Sequence, residues 1–180
     1  MAGRHAAAAL ADLALDLGAD LPMCLKSRAV FVGGIGEIIQ ESPTLPPCWL
    51  VLANPGEAVA TPAVFKARAG PFSQMARFEQ PPANAEALAT QLASRGNDLM
   101  TPAIHLCPTI AEVLTVLDRL PGALLSRMSG SGATCFGLFA DDADQDTVLK
   151  AYEHALKPYM EQNGYLTAEC DQYQRPDPQL

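Results

Sequence analysis

Apolar residues recur along the chain at the spacing that is typical of helices. The clearest pattern follows Pro108, where apolar side chains lie three and four residues apart: Ile110, Val113, Leu114 and Leu117. This pattern predicts an amphipathic helix that ends at Pro121-Gly122. Similar spacing or composition predicts further helices over residues 5–17, 83–95, about 97–105 and 142–156.

Short apolar runs bounded by turn residues predict six strands, over residues 28–33, 37–40, 48–53, 123–128, 133–139 and 164–170. The run at 48–53 is apolar throughout, and we expect it to be buried on both faces. From residue 48 the order is strand, helices, strand, strand, helix, strand. This order is typical of a ferredoxin-like βαββαβ sandwich in the α+β class, with an antiparallel sheet and helices on one face.

Composition narrows the function classes. Of the 180 residues, 49% are apolar, and the net charge of −8 argues against non-specific binding to nucleic acid. The cysteine count is odd at five and there is no Cys-x-x-Cys, which favours a reduced, cytoplasmic protein. The three histidines lie in separate segments without metal-ligand spacing, so we expect no metal site built from them.

Two glycine-rich stretches are candidates for binding phosphate. Ser129-Gly130-Ser131-Gly132 lies between two predicted strands, and it is either a simple hairpin turn or a nest of N–H groups that holds an anion. Gly33-Gly34-Ile35-Gly36 is followed by neither Lys-Ser/Thr nor a helix, so it is predicted to be a hairpin turn. Asp20, between a helix stop and Pro22, is by itself an ordinary turn aspartate.

Four stretches taken in order resemble the C-terminal two-thirds of the 4-diphosphocytidyl-2-C-methyl-D-erythritol kinase family, within the GHMP kinase superfamily. They are Leu17-Gly18-Ala19-Asp20-Leu21-Pro22, Pro55-Gly56 with Thr61-Pro62-Ala63-Val64-Phe65-Lys66, Asn97-Asp98-Leu99, and Ser129-Gly130-Ser131-Gly132-Ala133. The resemblance implies a small-molecule kinase that uses ATP and Mg²⁺ to phosphorylate the 2-hydroxyl of the cytidyl-linked methylerythritol, in non-mevalonate isoprenoid biosynthesis.

The resemblance also implies roles for particular residues. Asp20 matches the catalytic base, which takes the hydroxyl proton as the phosphoryl group arrives. Phe65 matches an aromatic residue that stacks on the cytosine, although core packing is its ordinary role. Thr61 matches a threonine near the substrate, although it also fits the cap of a helix that begins at Pro62. The phosphate-site loop consists of Ser129, Gly130, Ser131 and Gly132.

The chain departs from the family pattern before Asp20. The family has a strand with a lysine and a glycine- and serine-rich ATP loop, and neither is found here. We therefore expect an incomplete form of the enzyme whose partner is the missing N-terminal segment. Residues 1–47 would be a helix–hairpin remnant of the N-terminal domain, 48–172 the C-terminal GHMP kinase domain and 173–180 a tail. The helix at 5–17 and the hairpin at 28–40 are expected to expose apolar surface.

Two alternatives stay open on the sequence alone. The βαββαβ part fits a non-catalytic module that binds a small molecule or a partner. The fold also fits a GHMP kinase with another substrate, although the Thr-Pro-x-x-Phe stretch at residues 61–65 argues against this.

Overall fold

The computed structural model describes residues 10, 13–14, 16–19, 21–140, 157–162 and 167–173. These residues fall into two compact units. One holds the described residues up to Leu45 together with Phe78–Pro81, and the other holds those of 46–77 and those from Pro82 onward. Within the described ranges, no helix has both the length and the apolar character that crossing a membrane requires.

The first unit contains short helical segments and one hairpin. The described residues from Leu10 to Leu17 are helical, in agreement with the helix predicted there. The elements that follow are α1 (Leu21–Cys24), β1 (Val30–Gly33) and β2 (Ile38–Glu41). The two strands pair antiparallel, which confirms the predicted hairpin. The single turn α1 was not predicted, and Pro22 is tolerated in it because the first helical turn needs no N–H donor.

Large apolar side chains of this first unit are exposed, as the sequence predicted for its helix and hairpin. Leu17 is 72% exposed and Ile35 is 80% exposed. The same holds for Leu10, Leu13, Leu21, Met23, Leu25, Val32 and Ile38. Burial of apolar side chains therefore contributes little to the stability of the described part of this unit.

The second unit is a four-stranded sheet with helices. Its elements in chain order are β3 (Cys48–Asn54), α2 (Thr61–Ala67), α3 (Ala85–Ala93), α4 (Met100–Leu106), α5 (Thr109–Asp118), β4 (Leu125–Met128), β5 (Cys135–Ala140), α6 (Lys157–Gln162) and β6 (Thr167–Tyr173). The strands lie in the order β4-β5-β3-β6, all antiparallel to their neighbours. The first and third strands of the motif are thus central, which confirms the ferredoxin-like fold. The helix predicted over 142–156 lies outside the described residues.

One face of the sheet packs against α5 and forms the main core. Val51 of β3 and Phe139 of β5 are fully buried there. The α5 side chains that meet them are Ile110, Val113 and Leu117, at the positions that the sequence pattern assigned to the inner face. The predicted amphipathic helix is therefore confirmed.

The opposite face of the sheet is covered by α3, so the prediction of helices on one face only is wrong. Arg127 pairs with Phe136 across β4 and β5, and paired residues point to the same face, which is opposite to that of Met128 and Cys135 in the core. From that opposite face the Arg127 guanidinium donates hydrogen bonds to the carbonyls of Leu92 (2.8 Å) and Arg95, at the C-terminal end of α3.

A helix on each face explains why β3 is apolar throughout. On the core face Val51 and Ala53 are buried, and on the α3 face Cys48 is buried while Leu50 and Leu52 are half-buried. The predicted burial of β3 is therefore complete at Cys48, Val51 and Ala53 and only partial at Leu50 and Leu52.

Labelling of the cysteine thiols tests whether both faces of the four-stranded sheet are covered. In the variant Cys170→Ser, Cys24 is exposed and should react quickly with iodoacetamide, whereas Cys48, Cys107 and Cys135 are buried and should react only on unfolding. Burial also raises the pKa of the Cys135 thiol to about 12, so the reactive thiolate is scarce at neutral pH. Labelling of native Cys48 at the rate of Cys24, followed by mass spectrometry, would contradict the burial of Cys48 on the face of the sheet opposite to α5.

Candidate functional site

The serine–glycine loop joins β4 to β5 as a tight hairpin turn. The Ser129 N–H donates to the Thr134 carbonyl (2.8 Å), and the Gly132 N–H donates to the Ser129 carbonyl (2.9 Å). Gly130 and Gly132 have φ values of +53° and +88°, which glycine adopts readily. In the part of the chain that the structure describes, no acceptor is recorded for the N–H groups of Gly130 and Ser131. N–H donors that have no acceptor within such a turn can bind an anion.

Asn97 holds the loop from the segment between α3 and α4. Its side-chain amide donates to the carbonyls of Met128 (3.1 Å) and Gly130 (2.8 Å). Its carbonyl oxygen accepts the N–H of Leu99 at 3.0 Å, just before α4. Both ends of this one side chain are therefore engaged in fixing the loop relative to α4.

Asn54 holds the loop from the end of β3. Its amide nitrogen donates to the Thr134 hydroxyl (2.8 Å), and its oxygen accepts the Gly56 N–H (2.8 Å) in the turn that ends the strand. The sequence identified the Asn54-Pro55-Gly56 turn but not its bond to the loop. An asparagine between a buried strand and a turn was the available signal, but its partner lies 80 residues away.

Thr61 connects the start of α2 to the same loop. Its hydroxyl oxygen lies 2.8 Å from that of Ser131. The alternative role as helix cap is wrong, because Ala60 occupies the cap position and its side chain makes no capping bond. Thr61 is instead the first residue of the helix, which leaves its hydroxyl available to Ser131.

Phe65 lies one helical turn after Thr61, on the same side of α2. Its ring is 50% exposed, whereas the neighbouring Val64 is fully buried. The alternative role in core packing is therefore wrong, since Val64 supplies the apolar contact of this helix.

Asp98 fixes a second segment beside Asn97. Its carboxylate accepts hydrogen bonds from the Ser73 N–H (2.8 Å) and the Ser73 hydroxyl (2.9 Å). The Ser73 N–H, with its hydroxyl and the charge of Arg68, holds the pKa of Asp98 below its ordinary value. In the same segment the Arg68 guanidinium stacks 3.6 Å above the centre of the Phe72 ring. Sequence reasoning assigned no role to Asp98, Ser73 or Arg68.

Asp20, the predicted base, lies outside the described residues. Gly36 of the β1–β2 turn has a φ of +136°, and a Cβ there would lie 1.9 Å from the carbonyl oxygen of Ala19, the residue before Asp20 in the sequence. The glycine-rich stretch 33–36 thus forms the predicted hairpin turn and packs against the backbone that precedes Asp20. Among the described residues, no group of three or more His, Cys, Asp or Glu side chains is arranged to hold a metal ion.

The two loop glycines differ in a way that mutation can measure. A Cβ at Gly132 would lie 2.9 Å from the Met128 sulfur and 3.3 Å from the Ile110 Cδ1, whereas a Cβ at Gly130 meets nothing within 4 Å. Gly130→Ala should therefore lower the free energy of unfolding by only about 1 kcal/mol, which is the cost of holding an alanine in the left-handed backbone region. Gly132→Ala should lower the free energy of unfolding by about 2–4 kcal/mol, because the added methyl group is overpacked against Met128 and Ile110 and the backbone is also left-handed.

Urea unfolding, followed by the fluorescence of the single tryptophan, Trp49 of β3, measures both variants. Equal losses of unfolding free energy for the two would show that Gly132 is not packed against the core as described.

The comparisons with known proteins agree with this geometry. Residues 79–157 match the family model described as GHMP kinases C terminal. Curated 4-diphosphocytidyl-2-C-methyl-D-erythritol kinases are similar to the chain: that of Rhodospirillum rubrum is 54% identical over 139 residues, and that of Paramagnetospirillum magneticum is 51% identical over 134. These alignments cover 77% and 74% of this chain, but only 46% and 47% of the relatives. The chain thus spans about half the length of the curated relatives it matches.

A solved structure gives the same relationship. The crystal structure of a 4-(cytidine 5'-diphospho)-2C-methyl-D-erythritol kinase superposes with a TM-score of 0.63 at 30% identity, over 91% of this chain and 56% of that one. By sequence and by fold, the chain is therefore a homologue of these kinases over the part that aligns, and its residues 79–157 match the model of the C-terminal domain of GHMP kinases.

Proposed function

We propose that this chain is part of a kinase that phosphorylates the 2-hydroxyl of 4-diphosphocytidyl-2-C-methyl-D-erythritol, with ATP and Mg²⁺, in the non-mevalonate route to isoprenoid precursors. Support comes from relatives at about 50% identity that bear this kinase's name. Because the chain spans about half of those relatives, we propose that catalysis also needs the part of them that it does not match. In the cell we place this reaction in the cytoplasm.

The observation that carries the proposal is the Thr61–Ser131 contact with Phe65 beside it. The 2.8 Å distance between the two hydroxyl oxygens brings the start of α2 to the serine–glycine loop. Phe65 projects from the same side of α2, half-exposed, about 5–6 Å along the helix measured between Cβ atoms. An aromatic face and two hydroxyls therefore lie beside the serine–glycine loop, an arrangement that fits a base followed by a diphosphate.

Each residue then has a role that its chemistry allows. Phe65 stacks on the cytosine, and Thr61 and Ser131 orient the diphosphate through their hydroxyls. The N–H groups of Gly130 and Ser131 offer a phosphate oxygen the donors that the turn leaves open, within a chain whose net charge of −8 otherwise repels anions. Asp20 accepts the proton of the attacking hydroxyl. ATP, when bound, supplies the phosphoryl group, and Mg²⁺ neutralises its developing charge.

A chimera tests the activity. Residues of this chain replace the matching residues of the Rhodospirillum rubrum kinase, and formation of phosphorylated product is followed by chromatography. The chimera should turn over, and Asp20→Asn should lower kcat by roughly 10²–10⁴-fold with little change in the substrate KM, because only proton transfer is lost. A folded chimera whose turnover does not exceed that of its Asp20→Asn variant would contradict the kinase proposal. Binding of CDP without turnover would instead favour the non-catalytic module.

Stacking by Phe65 has its own test in the same chimera. Phe65→Leu should raise the substrate KM by roughly 5–150-fold, because base–aromatic stacking contributes about 1–3 kcal/mol, while kcat stays within about twofold. Phe72→Leu is the matched control: its ring is also exposed, but the guanidinium of Arg68 covers one face. Equal effects of the two substitutions on KM would remove Phe65 from the cytosine site.

A further inference from the structure

We propose that Asn97 is a positioning residue that sets the direction of the Ser131 N–H towards a phosphate oxygen of a bound nucleotide or diphosphate. The inference rests on the proposed function, since it takes the serine–glycine loop as a phosphate site. It adds a residue from outside that loop, on the stretch Asn97-Asp98-Leu99, which carried part of the family resemblance but was assigned no role in the site. Asn97 acts through the loop backbone and does not itself contact the ligand.

The argument begins with the Gly130 carbonyl. Asn97 donates to it at 2.8 Å and to the Met128 carbonyl at 3.1 Å, so one amide group is hydrogen-bonded to the chain on both sides of Ser129. A trans peptide is planar, and its C=O and N–H groups point in opposite directions. Fixing the Gly130 carbonyl towards Asn97 therefore directs the Ser131 N–H away from Asn97.

Asn97 is itself held from several sides. Its oxygen accepts the Leu99 N–H at 3.0 Å. Two residues earlier, the Arg95 carbonyl accepts a hydrogen bond from the Arg127 guanidinium on β4. On the following residue, the Asp98 carboxylate accepts two hydrogen bonds from Ser73. Because Arg95 and Asp98 are anchored on either side of it, Asn97 can hold the loop in one orientation and does not follow its motion.

Without Asn97, the loop retains two glycines at positive φ and the two turn bonds described above. Glycines at these positions leave the Gly130–Ser131 peptide free to rotate. Only the fraction of molecules with the N–H facing the ligand would bind, and the apparent dissociation constant rises in proportion. The effect of losing Asn97 should thus appear as weaker phosphate binding, beyond any loss of stability.

The test uses the 180-residue chain labelled with ¹⁵N and titrated separately with inorganic pyrophosphate, CDP and ATP. In the wild type the Gly130 and Ser131 amide signals should shift with saturation. Asn97→Ala should weaken pyrophosphate binding roughly tenfold, as expected if the competent fraction falls to about a tenth. A response to CDP alone assigns the loop to the substrate diphosphate, and a response to ATP alone assigns it to the nucleotide; either supports the inference.

The matched control is Asn84→Ala. Asn84 caps α3 by accepting the Ala87 N–H at 2.9 Å, so the same truncation removes a helix-end bond outside the loop. Its pyrophosphate affinity should stay within about twofold of the wild type. If Asn97→Ala does not fold, Asn97→Asp replaces it. The aspartate retains the hydrogen bond from the Leu99 N–H and loses the two that Asn97 donates. Its expected effect, measured without ligand, is faster hydrogen exchange at the Gly132 amide.

The outcomes distinguish the positioning role of Asn97 from the kinase proposal. Wild-type affinity in Asn97→Ala, or wild-type exchange at Gly132 in Asn97→Asp, overturns the positioning role and leaves the kinase proposal intact. An equal loss of affinity in Asn84→Ala also overturns it, because the effect is then one of general stability. No shift of the loop amides in the wild type with any probe overturns the phosphate contact and this inference with it, while turnover by the chimera still decides the kinase proposal.

Discussion

The crossing of the chain over the edge strand β4 is the constraint on which the candidate site depends. Helix α3 covers one face of the sheet and α5 the other, so the segment between α3 and α4 must pass around β4. An edge strand leaves carbonyls without ladder partners. The crossing segment satisfies the Met128 carbonyl with Asn97, while Arg127 of the strand satisfies carbonyls at the end of α3. Each element thus supplies hydrogen-bond partners that the other lacks.

Together with β3 and α2, this crossing segment restricts the serine–glycine loop to one conformation. The loop is anchored from three separate elements: by Asn97 from the crossing segment, by Asn54 from β3 and by Thr61 from α2. A neutral hydrogen bond contributes only about 1 kcal/mol, so no single anchor dominates the stability of the unit. Together, however, they restrict the loop in three directions. Such restriction is what a site needs if its N–H donors are to meet a phosphate without first being ordered.

The periodic elements of the second unit were predictable because their signals are local. The spacing of Ile110, Val113 and Leu117 is enough to define α5 and its inner face, and the run at 48–53 is enough to define β3. Element ends were less accurate, as for β6, which was predicted to end at residue 170 and continues to Tyr173, while the predicted residues 164–166 lie outside the described ones. The boundary at residues 47–48 stays a prediction.

The site itself was only partly predictable, because its decisive bonds join residues that are far apart in sequence. Nothing near Thr61 reveals that its hydroxyl meets Ser131 rather than capping α2, and nothing near Asn97 reveals the carbonyls of β4. The position of α3 on the second face was missed for the same reason: the pattern of a helix gives its apolar side but not the face of the sheet that it covers. The roles of Asp20 and Phe65 came from family resemblance, and they stay predictions.

The most direct measurement of the central claim is a crystal structure of the chain soaked with 4-diphosphocytidyl-2-C-methyl-D-erythritol. The account predicts the cytosine stacked on Phe65 and a diphosphate oxygen within hydrogen-bond distance of the Ser131 N–H. Asn97 should still hold the Gly130 carbonyl in that complex. Ligand density elsewhere on the second unit, with the face of Phe65 and the serine–glycine loop both open to solvent, would contradict the account.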